Sequence, residues 1–138
     1  MDQTKLIELL NGDLETEYRS IVQYISHIAT AKGAEFQSTI EELRQHLSQE
    51  LQHATALAEQ VDFLGGVPSV RVPPVSAATD TREALGQDLE LEQNQLERYR
   101  ERVSQTQEMG LGDVSEALRP LLQQTQDHVR DLQAALGL

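Results

Sequence analysis

The feature that most restricts the fold is a carboxylate set into an apolar stripe. Between Ile40 and Leu64 apolar residues recur in steps of three and four, through Leu43, Leu47, Leu57 and Val61, the rhythm of an amphipathic helix. Carried through the gap, that rhythm puts Glu50 and Ala54 on the buried line, with His53 beside it. A carboxylate in such a seam is costly unless it is paired, protonated or metal-bound. His53 stands one helical turn beyond Glu50, so the two side chains converge on one point. Glu-x-x-His facing a core is the spacing of carboxylate-bridged metal sites in helical bundles. A buried salt-bridged pair would also satisfy it.

Three more helices are expected around this one. From Asp2 to Lys32 the stripe runs Leu10, Leu14, Ile21, Tyr24 and Ile28, with Glu17 filling its remaining position. Asp2 or Thr4 suits the cap and Gly33 the stop. The second helix is expected to start near residues 34–37 and to end at Gly65-Gly66. A connection over residues 67–79 holds Pro68, Pro73 and Pro74, and is long enough to cross the length of a bundle. Asp80 with Glu83 resembles a capping box for the third helix, which carries Leu85, Leu89, Leu96, Tyr99 and Val103, with Glu92 on its stripe. After Gly110 and Gly112, Asp113 with Glu116 is expected to cap a fourth helix reaching about Leu136, with a kink at Pro120. No strand pattern competes. The expected fold is an all-α, up-down-down-up four-helix bundle, a single domain over residues 1–138 with its long crossover between helices 2 and 3.

The chain also repeats itself at an offset of 75 residues: Asp13-Leu14-Glu15 recurs as Asp88-Leu89-Glu90, Glu17 as Glu92 and Tyr24 as Tyr99. In the second helix of each half Leu43 matches Leu118, Leu47 matches Leu122, Gln49 matches Gln124 and His53 matches His128. Leucines would coincide in any two amphipathic helices, but core carboxylates, tyrosines and histidines at one offset indicate two related hairpins. The repeat gathers Glu17, Glu50, His53, Glu92 and His128 into one constellation able to hold two metal ions. Carboxylates suit hard cations, and imidazole admits iron, manganese or zinc. The counterpart of Glu50 is Thr125, so one carboxylate of the set is missing.

Charge narrows the function classes. With 23 acidic residues against 11 Lys and Arg, the formal net charge is −12, and no basic cluster offers a nucleic-acid footprint. There is no cysteine, hence no thiolate ligand or iron–sulfur cluster. No basic-then-apolar leader and no run of membrane-span length is visible, so a soluble cytoplasmic protein is expected.

The motifs resemble those of the ferritin-like family, and bacterioferritin most closely. The resemblance is carried by Leu10-Asn11, Glu17, Gln23-Tyr24, Glu50 to His53, Phe63-Leu64-Gly65-Gly66-Val67-Pro68 and Asp88-Leu89-Glu90-Leu91-Glu92. It spans residues 6 to about 135. It implies that Glu17, Glu50, His53, Glu92 and His128 are di-iron ligands, and that the activity is ferrous iron oxidation by oxygen or peroxide. The methionine that binds haem in bacterioferritin falls at Leu51, and the only methionines are Met1 and Met109, so no haem is expected. Without a short fifth helix, assembly is expected to stop at a homodimer.

Other polar residues receive plainer readings. His46 is read as a surface residue, His27 as having no role, Tyr24 and Tyr99 as core packing, and Glu15, Glu90 and Glu97 as solvated. Thr125 leads us to expect a lopsided centre, tighter around Glu17, Glu50 and His53 than around Glu92 and His128, with weakened oxidation. The alternative is a degenerate bundle serving as a non-catalytic binding or assembly module.

Overall fold

The computed structural model describes residues 1–138. It consists of α1 (Gln3–Thr30), a short 3-10 turn (Ala34–Phe36), α2 (Gln37–Phe63), α3 (Thr81–Glu108) and α4 (Gly112–Leu136). Direction follows from the side chains that meet. On α1 and α3, Asp13 meets Arg102 while Gln23 meets Asp88; on α2 and α4, His46 meets Asp131 while His53 meets Gln124. Each pair is therefore antiparallel, which gives the expected up-down-down-up bundle.

Local chemistry sets the helix limits. Asp2 caps α1 by accepting from the Lys5 amide, and Asp80 caps α3 by accepting from the Glu83 amide, each at 2.8 Å. Glu83 turns back to Thr79 rather than to Asp80, so the expected box closes one residue early. The expected Asp113–Glu116 cap is not formed. Leu111 occupies the N-cap position without a side-chain bond, and Asp113 lies in the first turn. A buried 2.6 Å hydrogen bond between the Thr106 and Ser115 hydroxyls ties the end of α3 to the start of α4. α4 runs on through Pro120, which is exposed.

The crossover leaves α2 through Gly65, whose φ of 90° favours glycine. At Gly66 a Cβ would lie 2.5 Å from Ile7 Cγ2, so only glycine lets the chain pass. Asn11 then holds Val67 and Ser69 through backbone bonds of 3.0 and 2.8 Å, and Tyr18 donates to the Ser69 carbonyl. Glu15, read as solvated, is instead part of this clamp, accepting from Ser69 and Arg71.

Two apolar clusters fill the bundle. One gathers Leu6, Leu10, Leu14, Leu57, Val61, Val103 and Leu118; the other gathers Phe36, Leu43, Leu85, Leu89, Val129 and Leu132. Between them lies a polar layer. Its outer members are pairs related by the repeat. Asp13 accepts from Arg102 at 2.7 Å and Arg98 at 2.8 Å; Asp88 meets His27 Nδ1 at 2.8 Å and accepts from Gln23 at 3.0 Å. Burial raises the Asp13 carboxyl above its ordinary range, against the pull of the Arg102 guanidinium. Removing one member of a buried pair strands its partner, so Asp13→Ala should cost about 3–5 kcal/mol. Urea unfolding of the variant checks this; a loss below about 1 kcal/mol would show that Arg102 finds water instead.

Candidate metal centre

Each helix delivers its share of the polar layer at the same level. Glu17 comes from α1, Glu50 and His53 from α2, Glu92 from α3, Thr125 and His128 from α4. All are buried, none more than 2% exposed. Glu17, Glu50 and His53 form one group with ligand atoms within 4.8 Å of one another; Glu50, Glu92 and His128 form a second. The structure therefore brings together all five residues singled out from the sequence.

Glu50 is common to both groups because its two oxygens diverge. Oε2 lies 3.5 Å from His53 Nδ1, and Oε1 lies 3.0 Å from His128 Nδ1. Each half adds one carboxylate: Glu17 Oε1 is 3.7 Å from His53 Nδ1, and Glu92 Oε2 is 3.4 Å from His128 Nδ1. The two groups thus hold the same donor types and divide the shared carboxylate evenly. The lopsidedness expected from Thr125 has no counterpart in these ligand sets. Thr125 is fully buried, and its hydroxyl donates to the Leu121 carbonyl at 2.7 Å.

A surrounding layer fixes the orientation of the ligands. His53 Nε2 faces Gln124 Oε1 at 2.7 Å, and His128 Nε2 faces Gln49 Oε1 at 2.6 Å. An amide oxygen only accepts, so each ring donates from Nε2 and turns Nδ1 toward the carboxylates. The tyrosines do more than pack. Tyr99 donates to Glu17 at 2.5 Å and Tyr24 to Glu92 at 2.8 Å, each crossing from one hairpin to the other. Gln95 adds a 2.9 Å bond to Glu17.

His46 corrects its surface assignment: it is 2% exposed. The steps 43–46–50 and 43–47–50 fit the helical period equally well, and apolar character favoured Leu47 in the sequence. His27, given no role, is the buried partner of Asp88. Its counterpart at the 75-residue offset is Arg102, partner of Asp13, a match of basic side chains that the sequence already holds.

Three carboxylates at one buried point cannot all ionise cheaply. Burial and the adjacent charges of Glu17 and Glu92 push Glu50 well above its ordinary range. Burial also opposes ionisation of the outer two. The neighbouring His128, with Glu50 and Tyr24, nevertheless holds Glu92 down at about 2, and Glu50 with His53 draws Glu17 down. Glu17 Oε2, His53 Nδ1 and Glu92 Oε2 are buried without a hydrogen-bond partner. Such orphaned lone pairs on hard oxygens and imidazole fit a pair of divalent cations.

Residues 7–138 match the ferritin family, described as a ferritin-like domain. The chain belongs to that family. It is 31% identical over 90 residues to a bacterial ferritin of Pseudomonas aeruginosa, a match covering 65% of this chain and 58% of that protein. A bacterioferritin of Mycobacterium leprae is 24% identical over 134 residues, covering 96% and 84%. A ferritin-like, diiron-carboxylate protein from Bacillus anthracis superposes with a TM-score of 0.92 at 30% identity, over 99% of each chain. A dodecameric thioferritin from Bacteroides fragilis, bacterioferritin-related, superposes at 0.89 with 25% identity, over 99% of this chain and 87% of that one. The expected fold and family are borne out.

The raised Glu50 makes a signed prediction. A group with its folded pKa raised contributes stability below its unfolded value, and loses it as pH climbs toward the folded one. Glu50→Gln mimics the protonated acid and removes that loss. The metal-free variant should melt higher than wild type at neutral pH, with the gap closing as pH falls to the ordinary value of 4.5. Melting curves across that range decide it. A gap that widens on acidification would mean that Glu50 is ionised in the fold.

Proposed function

We propose that this protein takes two ferrous ions into the bundle core and oxidises them with oxygen or peroxide, in a cytoplasmic role in iron handling. The observation that carries the reading is the pair of overlapping ligand groups sharing Glu50, with unpartnered donor atoms buried in each. Glu17 and His53 hold one ion, Glu92 and His128 the other, and Glu50 supplies one oxygen to each. Bound iron supplies the electrons for reducing the oxidant. The chain supplies the rest. Glu50 gives up its proton as cations arrive, Gln49 and Gln124 keep the imidazole lone pairs inward, and the two apolar clusters exclude bulk water. Manganese and zinc fit the same donors. Leu51, 52% exposed on the α1/α2 face, offers haem no ligand.

Thr125 bears on the rate. Two ferrous ions bring four positive charges, against three from Glu17, Glu50 and Glu92, and the deficit matters most in a poorly screened interior. Its hydroxyl, turned to the Leu121 carbonyl, is also what favours the second reading, a non-catalytic binding or assembly module. Anaerobic iron loading followed by exposure to oxygen, and separately to peroxide, tests the first. We expect two ions per chain and slow oxidation, with Thr125→Glu raising the rate. Wild-type protein that holds no iron would leave the module reading.

We further propose an isologous homodimer across the outer face of α1 and α2. Val22, Ile25 and Leu51 are 39–54% exposed there, and line shallow apolar grooves with Ile21, Ala54 and Leu47, a patch suited to a second copy. The dodecamer of the Bacteroides fragilis protein is a property of that protein. Light scattering should return the mass of two chains, falling to one for Ile25→Asp with Leu51→Asp; an unchanged mass in the variant would rule this face out.

A further inference from the structure

His46 is a buried histidine that the reading above does not use. Its ring lies against His128, with centroids 3.9 Å apart and planes 24° from parallel. Its Nδ1 is 3.2 Å from the Tyr24 hydroxyl, which in turn donates to Glu92 at 2.8 Å. Its Nε2 is 2.9 Å from Asp131 Oδ2, on a side chain that is 42% exposed. One imidazole thus braces both private ligands of a single group, His128 by stacking and Glu92 through Tyr24. Asp131 anchors it from the solvent side.

The other group has no such brace. At the 75-residue offset His46 corresponds to Leu121, an apolar core residue. Tyr99 meets the His53 ring edge-on at 6.3 Å and donates to Glu17, with no histidine behind it. Glu17 is steadied instead by Gln95, whose counterpart Ser20 has no partner. The ligands are symmetric between the halves; their supports are not.

We propose that His46 is a positioning residue for the Glu92–Glu50–His128 group and for that group alone, so that the two ion positions differ in affinity. The inference rests on reading the core as a two-ion site. Ligands already held in place lose less freedom when an ion arrives, and outer partners of metal ligands are typically worth about 10–100-fold in affinity.

Cobalt(II) titration of metal-free protein, followed by visible absorption and calorimetry, tests this. Wild type should take up two ions in two resolved steps. His46→Leu, which copies the residue at position 121, should weaken one step about 10–100-fold and leave the other unchanged. The weakened step should be the one abolished by His128→Ala rather than by His53→Ala. Asp131→Leu removes only the outer anchor, and should weaken the same step by less, which keeps the test open should His46→Leu fold poorly. His46→Phe, which keeps a stacked ring without the Tyr24 bond, should fall between wild type and His46→Leu. Equal weakening of both steps, or no change in either, overturns the proposal while leaving the two-ion reading standing. Wild type that binds no cobalt and no iron overturns both.

Discussion

Three carboxylates buried at one point are the constraint on which the rest of the structure depends. Removing each from water is expensive, and their mutual repulsion in the interior is poorly screened. The helices therefore arrive at this level carrying donors as well as acids. Tyr24 and Tyr99 reach across from the opposite hairpin, His53 and His128 stand between the acids, and Gln95 adds a third donor to one side. Glu50, with a carboxylate on either side, is the acid whose proton is hardest to remove. The apolar clusters above and below hold this layer dry, so its bonds act at low dielectric, where satisfied polar contacts are strong and unsatisfied ones costly.

The internal repeat explains how such a layer assembles from one chain. Two hairpins of similar sequence pack face to face, and each polar residue of one half meets a residue type it also carries. Asp13 with Arg102 and Asp88 with His27 are one contact made twice, as are His53 with Gln124 and His128 with Gln49. A crossover running the length of the bundle lets the second hairpin return in the orientation this pairing needs. Its clamp on α1 through Asn11, Glu15 and Tyr18 fixes where that return begins. Symmetry breaks at Thr125 against Glu50, His46 against Leu121 and Gln95 against Ser20. Those are the positions at which the two halves acquire different chemistry.

Much of this was legible in the sequence because periodicity and repeat constrain the same residues. The stripes place Glu17, Glu50 and Glu92 in the core with His53 one turn beyond Glu50, and the offset adds His128. What the sequence hid was the identity of partners. Glu50 gives no sign in one dimension that its oxygens divide between two histidines, so the carboxylate missing at Thr125 reads there as a change to one side alone. His46 is misplaced because helical spacing leaves a one-residue ambiguity between it and Leu47, and hydrophobicity is a poor arbiter in a polar layer. The α4 start was misjudged for a related reason. Asp113 has the chemistry of a cap, but the helix begins one residue before it, and the Thr106–Ser115 contact, a tertiary one, ties that first turn to the end of α3.

A bundle selected only for packing would gain from replacing this layer. Buried ion pairs and acids are commonly matched or bettered in stability by apolar residues of similar volume, and leucines already occupy equivalent levels on either side. The layer instead keeps two imidazoles locked with Nδ1 inward and leaves ligand atoms of Glu17, Glu92 and His53 without partners. The proton on Glu50 and the donors around Glu17 and Glu92 offset charge that a divalent ion would offset better. Such a layer gains from exchanging protons for cations. That combination favours a cation-binding core over one built for packing alone.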